Sequence, residues 1–185
     1  MSQIGEQLSG VDAEQLHAAV NTVLAAHQES LTAGASESPA SADDKLTDAA
    51  VYFHTLLELA YLVASADGFA AEERAALAQL IETATSAALD RTVLLAHFDD
   101  LDSGTEVLGR RERLARAAAN IETKERHEGA VRFAALIAAA DGHMDTTEVD
   151  VLVELGSHFG FERPEVEAIA TDVVAEVASH LGGAQ

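Results

Sequence analysis

The chain has no cysteine, so thiolate metal sites, thiol redox chemistry and disulfide frameworks are excluded, and a reducing compartment suits it. Prolines number two, and Lys45 and Lys124 are the only lysines among 11 basic residues. Set against 32 acidic residues, these leave a formal charge of −21. Nucleic acid and anionic lipid are poor partners for such a surface, because phosphate binding needs clustered Lys and Arg. Cations and basic protein surfaces are its natural complements, and the acidity serves solubility equally well. Long apolar runs are also missing: the longest, near residues 130 to 140, fall short of the ~20 residues that span a bilayer. The first thirty residues show no basic start followed by an apolar stretch. The expectation is a soluble, unprocessed, cytoplasmic protein with no transmembrane segment.

What the chain has in abundance is Ala, Leu and Glu, with apolar residues recurring every three or four positions. That pattern predicts an all-α fold, a compact bundle of about seven to eight helices. Residues 1–29 hold an amphipathic segment (Val11, Leu16, Val20, Val23, Leu24) read as a helical appendage, and residues 30–45, with Gly34 and Pro39, read as a flexible linker. The main helical domain is expected over 46–182. Its first helix carries Phe53, Leu56, Leu57, Ala60, Val63 and Ala64 to Asp67-Gly68; the next points Leu77, Leu80 and Ile81 inward. Helices over 88–101 and 105–121 follow. The segment 130–142 is apolar nearly all round, as a central buried helix would be. Gly160 is placed to cap the helix after it, and Pro164 to open the last one. Seven of the eleven basic residues fall between 110 and 132, interleaved with glutamates, which predicts a solvated helix face laced with ion pairs.

The chain is internally duplicated. A shift of 74 lays Leu59, Leu62, Val63, Ala64, Ala66, Asp67 and Gly68 on Phe133, Leu136, Ile137, Ala138, Ala140, Asp141 and Gly142. Beyond the corner a shift of 75 pairs Glu73, Leu77 and Leu80 with Glu148, Leu152 and Leu155, so the first corner is one residue shorter. The two repeats span about 51–102 and 125–178. Two copies of Ala-Asp-Gly, a short corner and a glutamate opening an apolar helix resemble the TerB-like family. Its members include the tellurite-resistance protein TerB and the N-terminal region of membrane-anchored J-domain co-chaperones. The match covers about residues 46 to 178 and is strongest at 133–161; at the first corner Phe69-Ala70-Ala71 lacks the polar residue that precedes the glutamates. The resemblance implies a non-enzymatic all-helical module of tellurite and general stress resistance. Metal-ion sensing, or scaffolding of a protein partner at the cytoplasmic membrane surface, would be its mode of action. By position, the family's acidic site falls on Asp67 with Glu72 or Glu73, and on Asp141, Asp145 and Glu148.

The corner residues admit a purely architectural explanation as well. Gly142 closes one helix, and Asp145-Thr146-Thr147-Glu148 spells a capping box for the next. Asp141 and its counterpart Asp67 are left over, since an aspartate near a helix C-terminus faces the negative end of the dipole. Either N–H groups of the following helix or a bound cation would offset that cost. Calcium, magnesium and manganese are the candidate ions. An ordinary EF-hand is excluded: with Asp141 at loop position 5, positions 1 and 3 are Ile137 and Ala139, which cannot ligate. One corner supplies about three carboxylates where calcium takes six to eight oxygens, so a site would need water, backbone carbonyls or both corners converging. The eight histidines are scattered. The single Glu-x-x-His, Glu14 to His17, lies outside the repeats, and His54 with Glu58 and Glu154 with His158 read as side-chain pairs one helical turn apart. No nucleophile elbow, phosphate loop or dinucleotide fingerprint occurs, and no catalytic residue is assigned. The alternative to a binding module is a structural interaction scaffold with no metal site, its Asp67 and Asp141 capping the helices that follow.

Overall fold

A computed structural model describes residues 42–84, 89–141 and 143–182; the side chains of 42–50, 80, 83, 84, 141 and 179–182 lie outside that description. The helix expected over 11–29, Glu14 and His17, Gly142 and the Asp141 and Leu80 side chains are therefore outside the described residues. These residues form seven α-helices and no strand: α1 Ala42–Ala64, α2 Ala71–Ala84, α3 Arg91–Leu108, α4 Arg110–Ala119, α5 Lys124–Ala138, α6 Thr146–His158 and α7 Arg163–Gly182. A short 3-10 turn, Ala139–Asp141, continues α5. The first helix begins at Ala42, inside the stretch read as linker. None of the described helices is long and apolar enough to cross a membrane.

The centre of the bundle is the α1–α5 pair. Small residues let the two backbones approach: Ala60 and Ala64 on α1, and Ala130, Ala134, Ala135 and Ala138 on α5, are all buried. The helices run side by side in one direction, since Arg126 lies over the Tyr52 ring at 4.7 Å and Phe133 meets Phe53 edge-on at 6.4 Å. Ala64 and Ala138 then border the same cleft at the far end. Burial of Val131, Phe133 and Ile137 together with the alanines makes α5 the central helix that its apolar sequence predicts.

The two halves share part of their helix packing. Helices α1–α2–α3 correspond to α5–α6–α7, with α2 packed on α3 as α6 is on α7, and α4 bridges α1, α3 and α6. The copies differ in closure. α7 packs along α5, whereas α3 meets α1 chiefly through side chains: Phe98 stacks on Tyr61 at 4.6 Å, and the Tyr61 hydroxyl donates to Asp102 at 2.9 Å.

The helix boundary expected between 101 and 105 falls instead at Gly109, whose φ of 82° breaks the chain between α3 and α4. Gly104 lies inside α3, and its missing side chain makes room for a neighbour: a Cβ there would sit 2.0 Å from the Arg113 guanidinium. Gly160 does end α6, in a Schellman motif. Phe161 N–H donates to Gly156 C=O at 2.9 Å and Gly160 N–H to Ser157 C=O at 3.1 Å.

The arginine-rich segment is only partly a solvated face. Arg116 pairs with Glu112 within α4, and Arg111 with Glu154 of α6, as a laced surface would. Arg113 turns inward to Glu58, and Arg110 donates to the Leu62 and Ser65 carbonyls at the end of α1. These partners lie about fifty residues away, beyond the reach of any periodicity argument.

Candidate functional site

The two corners meet. A cleft of about 210 Å³ opens between them, lined by Ala64, Phe69, Leu77, Ile137, Ala138 and Ala140 below and by Asp67, Glu73, Asp145, Glu148 and His143 at its rim. Parallel packing of α1 and α5 puts both helix C-termini at this end. The N-termini of α2 and α6 open from it. Negative dipole ends and positive ones are therefore gathered around one opening.

Each corner handles its orphan backbone groups differently. In the second, Asp145 is the N-cap of α6: its Oδ1 accepts from Thr147 N–H at 2.6 Å and Glu148 N–H at 2.9 Å, while Glu148 Oε2 accepts from Asp145 N–H at 2.8 Å. The capping box read from the sequence is complete. In the first, Glu73 accepts from Ala70 N–H at 2.9 Å, and Arg74 N–H donates to the Ala70 carbonyl at 3.0 Å. Ala70 thus occupies the N-cap place of α2 with no side chain to contribute. Half the box is present, and the missing half is the polar residue whose absence the sequence shows.

Asp67 does not make up that half. It sits in the turn that ends α1, which Gly68 N–H closes on the Ser65 carbonyl at 3.1 Å, beside Gly68 at φ 108°. Its carboxyl pKa is held above the usual aspartate value. Partial desolvation at the cleft is the first cause, and the Asp145 carboxyl within hydrogen-bonding reach and the Glu73 charge add to it. Two carboxyl groups from corners 78 residues apart in sequence (145 − 67) thus share one cleft closely enough to repel.

Of the residues singled out from the sequence, Asp67, Glu73, Asp145 and Glu148 converge on this cleft. Glu72 lies exposed in the first turn of α2 and is not among the lining residues. The 3-10 turn carries the Asp141 backbone to the same end. The sequence reading passed over His143, although it lies within the second corner, and it passed over Phe69, whose ring meets Tyr61 edge-on at 5.6 Å. It also missed Arg110, which neutralises the last carbonyls of α1 and so fixes where Asp67 emerges. His54 and Glu58 do not pair with each other as the turn spacing suggests: His54 meets His97, and Glu58 is held by Arg113.

Among the described residues no group of three or more His, Cys, Asp or Glu is arranged to hold a metal ion. Glu73, Asp145 and Glu148 each give one oxygen to backbone N–H groups. Comparison with known proteins adds nothing to this geometry: no family model, no curated protein and no solved structure matches the chain.

Proposed function

We propose that this protein is a non-enzymatic, TerB-like binding module whose cleft receives a cationic group, and that the group is the side chain of a basic protein partner. The carrying observation is the convergence of Asp67, Glu73, Asp145 and Glu148 on a cleft built by both corners. Carboxyl groups gathered at one opening repel one another unless a proton or another positive charge joins them. The apolar lining decides which charge suits best. Ala64, Phe69, Leu77 and Ile137 match the methylene stem of a Lys or Arg, leaving its head at the acidic rim. Calcium, magnesium or manganese would ask for six or more oxygens, many of them supplied by water. The formal charge of −21 favours encounter with a basic surface. A role in tellurite or general stress resistance follows from the family resemblance alone.

Calorimetric titration of chelator-treated protein with a lysine- and arginine-rich peptide, and separately with each of the three metal ions, tests this reading. Peptide heat that vanishes in Asp67→Asn supports it. Saturable metal binding that resists competition by the peptide replaces the basic side chain with a divalent ion. Silence from peptide and metals alike, at millimolar concentration, favours the second reading, a structural scaffold. The observation behind that reading is the full employment of Asp145, Glu148 and Glu73 as helix caps.

A further inference from the structure

Away from the cleft, α3 carries a second unusual contact. The His97 ring lies 4.3 Å from the His54 ring of α1, centroid to centroid and tilted by 49°. Nε2 of His97 is sealed from solvent and has no hydrogen-bond partner. Imidazole is the side chain whose charge changes between about pH 5 and 8. His97 is half-buried, and a proton at its sealed Nε2 would leave a donor unmet beside a partly desolvated charge, which is costly. The charged groups around it do not cancel that cost. From α1, His54 opposes a second positive charge, and Glu58, the nearest helpful carboxylate, is already bound by Arg113. From α4, Arg113 itself opposes it, and on α3 only the exposed Asp100 favours it.

This contact sits where the two repeats differ in packing. In the second repeat α7 packs along α5, but the corresponding α3 rests on α1 through a few side chains, His54–His97 among them. Helix α2 packs on α3 and brings Glu73 and Leu77 to the cleft. We infer that the His54–His97 contact is an acid-sensitive latch: it holds the α2–α3 hairpin on α1 while His97 is neutral, and protonation of His97 releases the hairpin and with it one wall of the cleft.

The sign is testable. Burial first, then His54, depress the His97 pKa in the folded chain. Its stabilising contribution is therefore complete above the unfolded histidine value of about 6.5 and is lost as pH falls through the folded value. Relief of repulsion among the many carboxylates works the opposite way on acidification, so the latch must be read locally.

Hydrogen exchange of the full chain, followed by mass spectrometry from about pH 7.5 to about pH 5 and corrected for intrinsic rates, separates the two. The expected result is a loss of protection in α3 of about tenfold or more relative to α6. His97→Phe, which keeps an aromatic ring without the proton, should abolish the pH dependence; His54→Gln, at an exposed position, should shrink it, and it carries the test alone if the Phe variant does not fold. Parallel protection of α3 and α6 at every pH, or wild-type pH dependence in the variants, overturns the latch. This readout needs no ligand, so it stands or falls apart from the function proposed for the cleft.

Discussion

Asp67 and Asp145 face each other across the opening between α1 and α6, and each is there for a different reason. Asp145 is anchored by the backbone N–H groups it caps. Asp67 caps no helix, and Asp145 and Glu73 push against it, although the Arg110 guanidinium lies near enough to offset part of that repulsion. An arrangement that weakens the empty protein has the physical character of a site kept for a ligand.

Asp67→Asn is therefore expected to stabilise the ligand-free protein at neutral pH while removing cation binding. The folded-state pKa of Asp67 is raised, so its cost is present above that value and disappears as pH falls through it toward the unfolded value of about 3.9. Because Asp67 is exposed, the gain is small, a rise in Tm of roughly 1 °C, like that from relieving an exposed like-charge pair. The gain should shrink with acidification. Thermal melts of both proteins across that range check it, and an equal or lower Tm for the variant at neutral pH contradicts the geometry.

The unequal caps yield a paired expectation. Asp145→Ala removes the side-chain half of a complete box and should cost about 1 kcal/mol. Ala70→Ser supplies the half the first corner lacks and should gain something approaching the same amount, with no charge added at the cleft. Urea unfolding of the two variants measures both, and a destabilised Ala70→Ser would show that the first corner cannot present an N-cap side chain to α2.

This inequality was legible before any coordinates, because capping is local: Asp145 and Glu148 are three residues apart, and Ala70 stands where Asp145 should recur. The central helix was legible for a similar reason, since a segment apolar on every side has to be buried. The convergence of the corners was not. It depends on α1 and α5 lying parallel, which follows from alanines on two helices more than sixty residues apart meeting face to face. The α3–α4 boundary, expected between 101 and 105 and found at Gly109, was misplaced for the same cause, because the glycine at 104 answers to a guanidinium from the next helix. A long-range partner was invisible to a reading built on spacings of three and four.

Gly156 illustrates such a constraint where α6 crosses α7. A Cβ at this position would lie 2.3 Å from Val166 Cγ2, and Val166 is fully buried. Gly156→Ala should thus cost about 1–3 kcal/mol by overpacking, despite alanine's better helix propensity. Val166→Ala in the same chain makes room and should recover part of the loss, leaving a double-mutant coupling that denaturant unfolding detects. Additive costs would mean that α6 and α7 shift apart freely.

Arg110 links stability to the cleft. Its guanidinium donates to the Leu62 carbonyl and, at 2.6 Å, to the Ser65 carbonyl, and it reaches Ser65 Oγ at 3.3 Å. A positive group there offsets the negative end of α1 where α5 ends beside it. Arg110→Ala leaves those carbonyls without their charged donor and should cost about 1.5–3 kcal/mol. Arg110→Lys keeps the charge but loses the planar fork that spans two carbonyls, so it should recover only part of that. Both variants should also weaken binding at the cleft, because the turn carrying Asp67 is pinned by these bonds, whereas Arg116→Ala, a change to an exposed pair within α4, should leave stability within about 0.5 kcal/mol and binding unchanged. Unfolding and calorimetric titration of the three variants separate the roles: an Arg110→Lys protein with wild-type affinity and stability would show that charge alone, not the two-carbonyl clamp, sets the position of Asp67.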